Sequence, residues 1–109
     1  MTPPPEVLRA ALEEQIRMGP EARAPAAERL AARFGAHSAQ TQAEAMLEAR
    51  RAIAVAEALA REYEAGRRTQ AQVESELRRQ FPWLAGADGK RDKDLAGQLG
   101  HFGYYLVIM

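Results

Sequence analysis

Apolar positions along this chain repeat at steps of three and four, not two. Over residues 5–18, Val7, Leu8, Ala11, Leu12, Gln15 and Ile16 fall on one line, the spacing of an amphipathic helix. Pro5 suits a first helical position and Glu6 the positive end of the dipole. Gly19-Pro20 punctuates the end. A shorter helix is predicted over 25–34, with Ala26, Leu30 and Phe34 at intervals of four and Gly35 as its terminator.

The third helix is predicted to be the longest, over 42–65. Thr41-Gln42-Ala43-Glu44 reads as a capping box, with Ser38 a rival cap one turn earlier. Met46, Ala49, Ile53, Ala56, Ala60 and Tyr63 form a heptad-like seam, flanked by Ala45, Ala52, Val55 and Leu59. So wide an apolar face serves more than one neighbour, and Gly66 closes the helix. A fourth helix follows a second capping box, Thr69-Gln70-Ala71-Gln72, with Val73, Leu77 and Phe81 as its stripe and Pro82 as its stop. Residues 85–94 carry two glycines and six charged residues; this loop is the expected mobile segment.

The last helix is predicted from about Asp92 onward. Leu95, Leu99, Phe102 and Leu106 make a ridge of large side chains; Ala96, Gly100, Gly103 and Val107 run beside it as a line of small ones. A glycine inside a helix costs about 1 kcal/mol relative to alanine. Close approach by a neighbour offsets that cost, so Ala96, Gly100 and Gly103 are read as a helix-packing groove facing the Ala-rich third helix. The final Leu106-Val107-Ile108-Met109 needs an apolar surface to lie on, and a second copy of the chain is the expected source.

Composition sharpens that expectation. The 109 residues hold 23 alanines, which offer little apolar area each, so helices must approach closely or share a core with another chain. Nothing divides the sequence, so it reads as one α-helical domain over 1–109, with residues 1–5 frayed. The fold class is all-α: a small bundle of about five helices around one long Ala-rich helix. Formal net charge is zero, with 15 basic and 15 acidic residues. The absence of a long basic tract argues against a nucleic-acid surface and against an anionic membrane. No cysteine is present, which removes disulfides and thiol chemistry. No signal-peptide pattern or spanning run is visible, so a cytoplasmic protein is expected. Arginine outnumbers lysine 13 to 2, a bias that with the alanine points to a bacterium of high GC content.

Candidate chemistry is sparse. His37 and His101 are the only histidines, and no carboxylate stands one turn from His101, so no metal is expected. Asp88-Gly89-Lys90-Arg91-Asp92-Lys93-Asp94 fails the calcium-loop spacing, because Lys90 takes a ligand position. Glu13-Glu14, Glu44-Glu48 and Glu57-Glu62-Glu64 read mostly as exposed helix faces, not acid/base pairs. Ser38 and Ser75 lack a nucleophile's context, and no phosphate-cradling loop occurs. Arg67-Arg68 and Arg78-Arg79 near a short helix raise helix-turn-helix DNA binding, but Glu74 and Glu76 on that helix oppose phosphate. Aromatic anchors favour protein interfaces, and Trp83, His101, Tyr104 and Tyr105 are the candidate partner-binding residues. The expectation is a protein that is not an enzyme, holds no cofactor, and binds another protein as a small inhibitor, immunity protein or adaptor while forming a homodimer. The rival readings are a ligand-binding or enzymatic bundle with a pocket near His101 and the tyrosines, and a nucleic-acid-associated regulator.

Overall fold

The structure, a computed structural model, describes residues 3–16, 26–33, 35, 38–85 and 95–108. The chain is all-α. Its helices are α1 (Pro5–Ile16), α2 (Ala26–Arg33), α3 (Ala39–Glu64), α4 (Gln70–Gln80) and α5 (Ala96–Ile108), with a 3-10 turn at Pro82–Ala85. Among the described residues there is no strand, and no helix is long and apolar enough to cross a membrane. His37, Phe34 and the 86–94 loop, with the expected start of the last helix at Asp92, lie outside the described residues.

The chain divides into two compact units, Met1–Arg50 and Arg51–Met109, and α3 contributes to both. In the first, α1 packs on α2. Val7, Leu8, Ala11, Leu12 and Ile16 are buried as their spacing predicts, and Leu30 of the α2 stripe is buried. Pro3 is buried and the Pro4 carbonyl accepts the Val7 and Leu8 amides, so backbone expected to fray is tied down from Pro3. The Gln15 amide donates to the Met46 carbonyl at 3.1 Å, linking α1 to the start of α3.

Two readings of this unit are corrected. Glu14, taken as part of an exposed face, is 2% exposed and accepts from Arg33 Nη1 at 3.1 Å. A buried carboxylate needs such a partner. The α3 cap is Ser38, not Thr41: the Thr41 amide donates to Ser38 Oγ at 3.1 Å, and the helix starts at Ala39. With Thr41 inside the first turn, Glu44 accepts from Gln40 instead of capping.

The second unit is built from the rest of α3, α4, the 3-10 turn and α5. Ala52, Ala56, Leu59 and Ala60 of α3 are buried, as are Val73, Leu77 and Phe81 of the α4 stripe. Arg51 covers the Phe81 ring at 5.2 Å from its centroid. The α3 terminus is a glycine-closed turn: Gly66 has φ +79°, its amide donates to the Tyr63 carbonyl, and the Arg67 amide donates to the Glu62 carbonyl. The Thr69 box that starts α4 is complete, with Gln72 N to Thr69 Oγ1 at 3.1 Å and Thr69 N to Gln72 Oε1 at 2.8 Å.

Helix α5 resolves the small-residue line into two contacts. Gly103 is the close one: a Cβ there would stand 2.7 Å from the Ala56 carbonyl carbon and oxygen of α3. Gly100 faces α4 instead, where a Cβ would meet Val73, Glu74 and Leu77 at 3.7–3.9 Å. The groove expected to run along α3 is therefore a single contact at Gly103, with Ala96 fully buried before it. The ridge of large residues sinks at its start and emerges at its end. Leu95 and Leu99 are buried, Phe102 is half-buried, and Leu106 is exposed.

Candidate partner-binding cleft

The Gly66 turn sends the chain from α3 back along α4, which leaves a gap between the end of α3, the start of α4 and the middle of α5. It forms a cleft of about 160 Å³ lined by Ala60, Tyr63, Gln70, Val73, Gly100, His101 and Tyr104. Its floor is small because Ala60 and Gly100 lack bulk. Its wall is aromatic: Tyr63 and Tyr104 meet edge to face, with ring centroids 5.5 Å apart and planes at 86°. The Tyr104 hydroxyl donates to the Glu64 carboxylate, whose charge, foremost, raises the phenol pKa above its ordinary value of 10.0.

Of the four candidate binding residues, the structure brings His101 and Tyr104 into this cleft. His101 is exposed and Tyr104 half-buried. Tyr105 is half-buried on α5 but does not line the cleft. Trp83 lies elsewhere in the unit, half-buried against Phe81 at 5.9 Å between ring centroids. Sequence reasoning missed Tyr63 and Gln70 as lining residues. Tyr63 falls on the predicted seam of α3, yet it is 40% exposed.

Two further apolar side chains of α5 are exposed. Ile108 stands seven residues beyond His101, which at about 100° per residue returns it to the same side of α5. It is 57% exposed. Leu106, on another side, is exposed as well.

Three of the four arginines that raised DNA binding are held within the unit. Arg68 pairs with Glu62, Arg78 with Glu74 at 3.7 Å, and Arg79 donates through Nε to Glu76 at 2.9 Å. The Arg79 hydrogen bond, with a second from Gln80, holds the Glu76 carboxyl down at about 2. Among the described residues no three His, Cys, Asp or Glu side chains converge as a metal set. No family model, no curated protein and no solved structure matches the chain.

Proposed function

We propose that this chain is a non-catalytic protein-binding module, of the kind a small bacterial inhibitor, immunity protein or adaptor provides in the cytoplasm, and that it self-associates. The observation that carries this reading is the Tyr63–Tyr104 cleft together with exposed Ile108, which helical periodicity puts on the His101 side of α5. Aromatic walls around a small depression, with an exposed aliphatic side chain further along the same helix, suit an anchor residue from a partner. Burying Ile108 against another chain would remove apolar area from water, worth about 25 cal/mol per Å².

A pocket holding His101 and two tyrosines also suits a small ligand. Size favours the protein reading. At about 160 Å³ the cleft is below the roughly 300–1,000 Å³ of common ligand sites, and is scaled to one side chain. Nucleic acid is disfavoured by the acids beside Arg68, Arg78 and Arg79, which cancel the local positive charge.

Light scattering on a dilution series of two variants tests the location. Ile108→Asp is expected to shift the chain to monomer. Leu47→Asp, at a 62% exposed apolar position in the other unit, is expected to leave association unchanged. The reverse outcome would move the interface off α5.

A further inference from the structure

Among the described residues of the second unit, most acidic side chains are paired. Among its described residues, Glu57, Glu62, Glu74 and Glu76 are each paired with an arginine. Two opposite charges are left over, Glu64 and Arg67. Glu64 accepts the Tyr104 hydroxyl but has no cationic partner among the described residues, and exposed Arg67 has no carboxylate there. They stand three residues apart on either side of Gly66, yet no ion pair joins them. The turn that carries both connects Tyr63 and Gln70, two residues that line the cleft.

We propose that Arg67 of each copy enters the cleft of a second copy and pairs with that copy's Glu64 against Tyr63 and Tyr104. The inference rests on the self-association proposed above and names what fills the cleft. Two-fold symmetry makes it self-consistent, since a residue that meets its partner's surface is met in return by the same residue of that partner. One surface bearing an acid and a base that pair with no described residue, three positions apart in the chain, is then neutralised twice. The occupant's chemistry suits the walls. A guanidinium is planar, stacks on aromatic rings and forks onto a carboxylate. The Glu64 charge, which makes the Tyr104 hydroxyl hold its proton, equally favours an incoming cation.

Sedimentation equilibrium on four chains tests this: the unaltered protein, Glu64→Arg, Arg67→Glu and the double reversal. Both positions are exposed, so the fold is expected to hold, as circular dichroism would show. Each single reversal sets like charges across the interface and is expected to raise the dimer Kd at least about tenfold. The double reversal restores opposite charges and is expected to return Kd to within about threefold of the unaltered chain. A dimer indifferent to the single reversals would overturn the Arg67–Glu64 contact and leave self-association standing. A double variant as weak as the singles would overturn it likewise. An unaltered chain that is monomeric throughout would overturn both.

Discussion

Gly103 of α5 lies against the backbone of Ala56 in α3 so closely that a Cβ on it would stand 2.7 Å from the Ala56 carbonyl. The obstacle is main chain, which cannot swing aside as a long side chain can. Gly103→Ala is therefore expected to destabilise the fold by about 1–3 kcal/mol. Gly100→Ala meets only ordinary contacts with α4 side chains, and is expected to be neutral or to stabilise by up to about 1 kcal/mol through helix propensity. Urea unfolding of the two variants checks the opposite signs. Equal losses would mean that both glycines are squeezed.

The Glu14–Arg33 pair ties α1 to α2. Arg33→Ala withdraws a cation from a carboxylate that is 2% exposed, with an expected cost of about 1–3 kcal/mol. Joint replacement by Glu14→Leu and Arg33→Met is expected to recover most of that loss, because apolar groups of similar volume need no partner. Chemical denaturation of the single and double variants reads the difference. A double variant less stable than Arg33→Ala would contradict it.

Acid should act on the second unit through Glu76. Its carboxyl is held at about 2, against an ordinary 4.5, foremost by the Arg79 hydrogen bond. A depressed folded-state pKa adds stability above the unfolded value, and that stability is lost as pH falls from 4.5 toward 2. In Arg79→Ala the midpoint is expected to move back toward 4.5. Side-chain NMR titration of Glu76 measures both midpoints, and identical curves would remove Arg79 as the cause.

At the start of α3, Ser38→Ala is expected to cost about 0.5–2 kcal/mol, since it deletes the N-cap acceptor. Thr41→Ala should cost less, because it keeps the amide that donates to Ser38 Oγ and loses only the hydroxyl contact with Ser38 Oγ at 2.9 Å. Thermal melts that ranked them the other way would restore Thr41 as the cap.

Much of the architecture was legible because its signals are local. Gly66 as a left-handed helix end, Thr69 with Gln72 as a capping box, and the Val73, Leu77 and Phe81 stripe all follow from spacing and backbone chemistry. Signals that need a neighbour were read less well. Ser38 and Thr41 each head a plausible cap, and only the backbone trajectory separates them. Glu14 looks like a surface acid until α2 brings Arg33 to it. Gly100 and Gly103 share one line on a helical wheel, yet the first lies against α4 side chains and the second against α3 backbone. The cleft was half legible. His101 and Tyr104 were singled out as aromatic and polar groups on the last helix, while Tyr63 was assigned to the core because its spacing continues the alanine seam.

Self-association is the part of the proposed function on which the Arg67–Glu64 contact depends. Sedimentation equilibrium of the unaltered chain across a micromolar concentration range tests it most directly. The expected result is a monomer–dimer equilibrium whose mass rises with concentration to twice 12.0 kDa. A constant mass of 12.0 kDa at every concentration would contradict it.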